Sequence, residues 1–502
     1  MNEIIRAGME SIGRAKKENP KLRTRSGKTF DLGGGKYQAM IFADPIHYWN
    51  EELRAWIEID NTLFESGENG NREFINRDNP EMKVSFSNSA EPDMITIEDE
   101  EGHILSWGFE KARKVFPERL ADCEQKKSGG KMISFPESLN MIEANVLYSA
   151  IYEGVDLACS IHSITFKDEI RFEHIDSIAS ITITLSLKGL TPFHRRDGDI
   201  DLLSDDGTIL YTFPKPFLKD SSVEGTFGEV DQILERGETR GKWKITYNPN
   251  KTWLQEAKFP VILDPAVISK KHSSAIEDNF ITSANPSTVQ PYAGTSMTIS
   301  KGSNNWGTSK SFIRFLDSGL PSVDSSYYVT SAYFSILTAT TPTTAATVYL
   351  KEVLGAWNSQ TITYNNAPSL NEKPLDYSYM NSAGTWYSFD ISNLVRKWYG
   401  GENYGIALEA ASNTYFSIFS SDHAYYKPYL IINYVSLAGI QGYLAYEEQS
   451  IGRAGIGRVS LYNGNLIFEH RDSACGGQRM PVSISHFYNS CYRMINDFGC
   501  AI

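Results

Sequence analysis

From about residue 28 onward, apolar and polar positions alternate in short runs broken by turn residues, the two-residue period of strands with one buried face. In SIASITITLSLKGL (177–190), Ile181, Ile183, Leu185 and Leu187 share one face and Thr and Ser the other. TIEDEEGHILSW (96–107) reads as strand, acidic turn at Gly102, strand. DIDLLSDDGTILYTF (199–213) reads as a hairpin turning at Asp206-Gly207. GKWKITYNP (241–249) and KFPVILDP (258–265) add two strands, and SVEGTFGEVDQILERG (222–237) reads as a loop with at most one turn. The first half is therefore β-rich.

Near 266–275 the composition shifts to Ser, Thr, Asn, Tyr and Ala with few charges. Eight strand-like runs follow at sandwich spacing: TSMTIS, KSFIRFLD, VTSAYFSIL, ATVYLKEV, WYSFDIS, YGIALEA, YFSIFSS and PYLIINYV, about what a jelly roll requires. SNLVRKWYGG (392–401) is the exception, a short helix closed by Gly400-Gly401. Past Tyr434 a Gly- and Tyr-rich stretch carries an Asn463-Gly464 hairpin turn, and the chain stops at NDFGCAI. The fold expected is all-β: a leader (1–27), a β-rich domain (28–268), a jelly-roll sandwich (271–434) and a truncated β-rich stub (435–502).

Charge sharpens these divisions. The formal −13 divides into 34 basic and 45 acidic side chains in residues 1–270, 9 and 11 in 271–434, and 5 and 5 in 435–502. The acidity belongs to the first half and argues against a broad phosphate-binding footprint, so no nucleic-acid partner is expected. Cys123, Cys159, Cys475, Cys491 and Cys500 form no CxxC pair, which supports neither a zinc site nor a disulfide framework. No apolar run reaches the roughly 18 residues of a membrane span, and the N-terminus lacks the apolar stretch of a signal peptide. Ile4, Ile5, Met9 and Ile12 allow one short amphipathic helix before Pro20, in a solvated leader.

Catalytic patterns are missing: there is no GxSxG, HExxH, Walker loop or GxGxxG. Asp197, Asp199 and Asp201 imitate the start of a calcium loop, but Leu202 replaces its sixth-position Gly and Thr208 its twelfth-position Glu. His47, between Ile46 and Tyr48-Trp49, is expected to be half-buried and structural. The positive signal is aromatic. Sugar rings offer C–H faces that stack on aromatic rings, and Asn, Ser and Thr serve the hydroxyls. Trp357, Trp386 and Trp398 lie on or beside periodic segments and are expected in the core. Trp306, in the loop KGSNNWGTSK, Tyr425 and Tyr426, in SSDHAYYKP, and Tyr292 are the candidate carbohydrate contacts.

EDNFITSANPST, SFIRFLDSGLP, VTSAYFSIL, WNSQTITYNNAP, WYSFDISNLVRKWYGGENYGIAL and SSDHAYYKPYLIINY follow one another in an order and spacing that resemble the DNRLRE domain, classed with carbohydrate-binding modules of family ninety-six. Two details depart from it: FLDS displaces an aspartate by one place, and Tyr364 stands where Trp is frequent. KTFDLGGGKYQAMIFADPIHYWNEELRAWIEIDNTL and FPVILDPAV resemble the region preceding this module in wall-associated, Rhs (YD-repeat) proteins of Gram-positive bacteria. GYLAYEEQSIGRAGIGRVSLYNGNLIFEHRDSACGGQRMPVSISHFYNS resembles the passage that opens their repeat shell.

The resemblance implies a secreted or cell-surface location, a polysaccharide or cell-wall glycan as partner and no catalytic residues. No cofactor is expected beyond the structural calcium that jelly-roll modules often carry, for which no ligand set can be named. The expected function is non-catalytic glycan binding. The alternatives are the structural front segment of an Rhs-type toxin or wall-associated protein, and a polysaccharide-active enzyme with an appended module.

Overall fold

The computed structural model describes residues 17–490 apart from 34, 67–72, 88–92, 121–140, 178–179, 222–226, 270–273, 291–294, 324–325, 424–425, 438–439, 441–443, 463 and 477–480. The fold is all-β, in two compact units: residues 44–274, and residues 1–43 together with 275–502.

In unit 44–274, one antiparallel sheet runs in the order Asp60–Ser66, Glu73–Asp78, Lys83–Ser87, Ile95–Glu98, Ile104–Phe109, Ile181–Lys188, Lys242–Pro249, Phe227–Arg236. A second sheet is built around Glu143–Tyr152, Val155–His162 and Thr165–Phe172. Phe227–Arg236 pairs with Phe217–Lys219 of this sheet as well as with Lys242–Pro249, which closes the two into a barrel. The alternation read from the sequence fills the interior: Ile181, Ile183, Leu185, Leu157, Ile161 and Phe166 are all buried. The Asp206-Gly207 turn is as expected. Gly207 takes φ +86°, which a side chain would strain, and Asp206 Oδ1 accepts from Thr208 N at 3.0 Å.

The segment 222–237, expected to be a loop, contributes Phe227–Arg236 instead. A polar residue occupies its inward position: Gln232 is buried and donates to Gly198 O (3.0 Å), while Ile233 faces out. Val230, two residues before Gln232 on the same face, is buried as well, so a polar residue interrupts the apolar face that would mark a strand. Lys251–Glu256 is a short helix capped by Asn250, whose side chain accepts from Thr252 N and Trp253 N.

The other unit holds a sandwich. All eight expected strands form, joined by Ile276–Thr282 and Asp376–Met380, and the expected helix is Ser392–Trp398. One sheet has the order Asp376–Met380, Ala346–Glu352, Ile406–Ala410, Gly307–Phe315, Ser296–Ser303, Thr414–Phe419, with Ile276–Thr282 pairing Gly307–Phe315. The second sheet begins outside the 271–434 segment, in the order Lys17–Glu18, Gly27–Gly33, Lys36–Ile41, Tyr429–Ser436, Tyr327–Leu337, Trp386–Asp390.

Residues 28–43, which the sequence reading assigns to the acidic first domain, are thus strands of the sandwich. Met40 pairs with Ile431 and Ala39 with Ile432, and Ala39, Ile41 and Ala43 join the core of Phe315, Phe334, Phe389 and Ile432. The physical reason is the vacant flank of Tyr429–Ser436, whose backbone groups this strand satisfies. A separate four-stranded sheet, Tyr446–Ser450, Ile456–Ser460, Leu466–Gly476, Pro481–Asn489, follows the sandwich. The N-terminal helix expected at residues 4–12 lies outside the described residues.

Candidate functional site

Three consecutive polar side chains on Ile276–Thr282 organise the loops at one end of the sandwich. Glu277 accepts from Ser359 N (2.7 Å) and pairs with Arg314. Asp278 accepts from Ser421 N (2.7 Å) and Ser421 Oγ (2.9 Å). Asn279 donates to Ser359 O (2.7 Å) and Gln290 O (3.1 Å). Burial pushes the Asp278 carboxyl up to about 6, against the opposing effect of the Ser421 donors and Lys427. One strand therefore holds three loops.

The outer face of the larger sheet divides in two. Over one half, the segment after Glu352 folds back as a roof: Trp357 and Ile362 cover Ile281, Phe312, Val353 and Ala407 in a second small core. Trp357 Nε1 donates to Tyr404 O (2.9 Å), and the Arg314 guanidinium lies 5.6 Å from the indole centroid.

The other half carries an aromatic and charged row. Tyr377 is directly opposite Tyr349, Tyr349 opposite Glu409, and Glu409 opposite Lys310. Directly opposite residues share a sheet face. Tyr379 stands two residues along, about 7 Å on the same face. Tyr377 and Tyr379 are 66% and 60% exposed. Lys310 Nζ sits 2.9 Å and Lys351 Nζ 3.8 Å from the Glu409 carboxylate, which fixes a polar edge beside the rings. Flat rings next to ordered charged groups can stack on a sugar and bond its hydroxyls.

The residues singled out from sequence fall elsewhere. Trp306 is half-buried. It packs edge-on to Phe280 (centroids 5.7 Å) against the main core, and its carbonyl accepts from the Thr282 hydroxyl. Tyr426, 41% exposed, is stacked on His423 (5.3 Å, 16°) and tilted against Phe419 (5.3 Å). Tyr292 and Tyr425 lie outside the described residues. Trp357 and Trp398 are buried as expected, whereas Trp386 is half-exposed, tilted against Tyr429. Sequence reasoning missed Tyr377 and Tyr379. The available signal was two tyrosines at i and i+2 in DYSYM, which a strand sends to one face.

The acidic unit's titratable clusters are internally satisfied. Asp197, Asp199 and Asp201 converge on Arg195, with Arg195–Asp199 and Arg195–Asp201 contacts of 3.6 Å, so a guanidinium occupies the centre that a calcium loop would reserve for the ion. His162 places Nε2 2.7 Å from Asp44 and Nδ1 2.9 Å from Glu143, and His103 Nδ1 lies 2.9 Å from Asp99. His47, expected to be half-buried, is fully buried. Among the described residues no helix is long and apolar enough to cross a membrane.

Residues 269–434 match carbohydrate-binding module family 96. Over 483 residues the chain is 22% identical to the tRNA3(Ser)-specific nuclease WapA of Bacillus spizizenii, covering 88% of this chain and 19% of that protein. It is also 22% identical over 251 residues to a wall-associated protein of Geobacillus stearothermophilus, covering 46% of this chain and 92% of that one. The chain thus spans about a fifth of the length of the Bacillus relative. A solved exo-beta-1,3-galactanase from Phanerochaete chrysosporium aligns over 78% of this chain and 100% of its own at 10% identity, with a TM-score of 0.11.

Proposed function

We propose that this chain is a non-catalytic, cell-surface polypeptide that binds a polysaccharide of the cell wall. The site is the open half of the larger sandwich sheet, with Tyr377 and Tyr379 as stacking platform, Tyr349 beside them, and Glu409, Lys310 and Lys351 for hydroxyls. The observation that carries this is the coincidence of the family 96 match with an exposed tyrosine pair on the matched sheet. Trp306, Tyr426, Tyr292 and Tyr425, the candidates read from the sequence, stand as alternative glycan contacts. The full chain is run through gels containing cell-wall polysaccharides and applied to a glycan array. We expect retardation by at least one glycan and its loss, tenfold or more, in Tyr377→Ala with Tyr379→Ala. Retention unchanged by that double variant but abolished by Trp306→Ala or Tyr426→Ala moves the site to the loops. No retained glycan at all refutes the function.

A second reading makes the chain the structural front portion of a much longer Rhs (YD-repeat) or toxin-type surface protein. What favours it is the asymmetry of coverage, 88% of this chain against 19% of a relative named as a tRNA nuclease. In this reading the nuclease chemistry lies outside these residues, so the purified chain leaves tRNA intact. A ladder of cleaved tRNA would overturn that assignment.

A further inference from the structure

The open face of the larger sandwich sheet has a direction. Across the strands, the row Tyr377, Tyr349, Glu409, Lys310 continues to Ile281, which is directly opposite Lys310 and so on the same face. Exposure falls along the row. Tyr377 is 66% exposed, the Glu409 and Lys310 side chains 21% and 25%, and Ile281 3%. At the spacing of neighbouring strands, Tyr377 and Lys310 stand about 14 Å apart, room for a short run of sugar rings.

The roof closes the low end. Ile281 shares the small core with Trp357 and Ile362, and Ala407 and Phe312, two residues along from Glu409 and Lys310, lie in the same core. The roof is tied down at several points. Asn365 N donates to Pro286 O (3.0 Å) and Asn365 Nδ2 to Ser287 Oγ (3.0 Å). Asn366 accepts from Thr363 N (2.6 Å) and donates to Thr361 O (2.9 Å). It is a fixed wall. A chain lying along the row can leave over the tyrosine edge but cannot continue past Lys310.

The groups at the closed end suit a terminus. An interior sugar presents a glycosidic oxygen at its linkage position, which can only accept. A terminal sugar presents a hydroxyl there, which donates as well as accepts. Lys310 Nζ, a donor, is 2.9 Å from the Glu409 carboxylate, an acceptor, and Lys351 Nζ is 3.8 Å from the same group. A hydroxyl can donate to Glu409 while accepting from Lys310, whereas an ether oxygen offers the carboxylate no proton. A site built to bond a hydroxyl discriminates against the analogue that lacks it.

We propose that this face recognises the end of a glycan chain and not its interior, with the terminal sugar against Glu409 and Lys310 and the following rings on Tyr349, Tyr377 and Tyr379. The inference rests on glycan binding at this face and adds which part of the polymer is bound.

The test counts sites. Xylan, β-glucan, pectin and a Gram-positive cell-wall polysaccharide extract are titrated into the full chain by calorimetry, each intact and partly hydrolysed at equal mass. For a polysaccharide that binds, we expect capacity to rise in proportion to the number of chain ends. Affinity for its size-fractionated oligosaccharides stops rising after a few sugars, and Glu409→Gln and Lys310→Gln weaken it at least tenfold. Borohydride opens the sugar at one end only, so binding lost on reduction places the reducing end at Lys310 and binding retained places the other end there, each a terminus as proposed. Capacity that follows mass whatever the number of ends, or oligosaccharide affinity unaltered in both variants, overturns the inference and leaves glycan binding standing. No binding in any arm overturns the proposed function itself, and the inference with it.

Discussion

Asp168 is an inward-facing residue of Thr165–Phe172, opposite Cys159 and in the barrel interior with Trp107 and Tyr247, and it is 3% exposed. Burial, reinforced by the Asp264 carboxylate, pushes its pKa up to about 7, and the donors near it offset this only in part. An unfolded aspartate titrates near 3.9. Between about pH 4 and pH 7 the native state therefore holds a proton that the unfolded chain has released, and stability falls as pH rises through that window and levels off above it. At about 1.4 kcal/mol per unit the full span is on the order of 4 kcal/mol. Asp168→Asn replaces the neutral acid by a group of the same shape that cannot ionise. We expect the variant to match wild type within about 1 kcal/mol at pH 4.5 and to exceed it by about 2–4 kcal/mol at pH 8. Hydrogen exchange of peptides covering 155–172 under increasing urea reads this unit separately from the other. Parallel wild-type and variant stabilities from pH 4.5 to 8, or an Asn variant weaker at pH 8, would refute the reasoning by showing that the carboxylate is held as an ion.

Three further outcomes follow from the sandwich. Residues 269–437 produced without residues 17–43 leave Tyr429–Ser436 as a bare edge and expose the core lined by Ala39 and Ile41; we expect aggregation on size exclusion, relieved when a 17–43 peptide is supplied in trans. Asp278→Ala leaves the Ser421 N–H without its acceptor and costs about 1–3 kcal/mol, seen as faster exchange at 419–423 with 165–172 unchanged. Trp357→Ala empties the small core under the roof, and thermal melting of the sandwich is expected to report a loss of about 3–5 kcal/mol with Tyr377 unaffected in its own exposure.

Strands were legible wherever the inward residues were apolar, as in Ile181–Lys188. They were illegible where a polar residue faced inward, as at Gln232. Pairing was a different matter. Alternation in KYQAMI announces a strand but says nothing of its neighbour, which is nearly the whole chain away in sequence. The same limit affected the site. Trp306 looks exposed from its Ser- and Asn-rich flanks, yet it is half-buried, packed edge-on against Phe280 of another strand. Tyr377 and Tyr379 owe their exposure to an edge position that only the sheet order reveals.

Ala275 N donates to Ala43 O at 2.7 Å, so the chain leaves the sandwich and re-enters it at one point, with the whole barrel made in between. During synthesis the first sandwich strands therefore emerge long before their partner Tyr429–Ser436 exists. The barrel's strands pair among themselves and can close first, while the flank of Lys36–Ile41 waits for Tyr429–Ser436. That apolar flank has to be shielded for that interval, by a chaperone or by speed. The sandwich sheet that holds Gly27–Gly33 and Lys36–Ile41 is thus completed only after the barrel strands between them and Tyr429–Ser436 have been made.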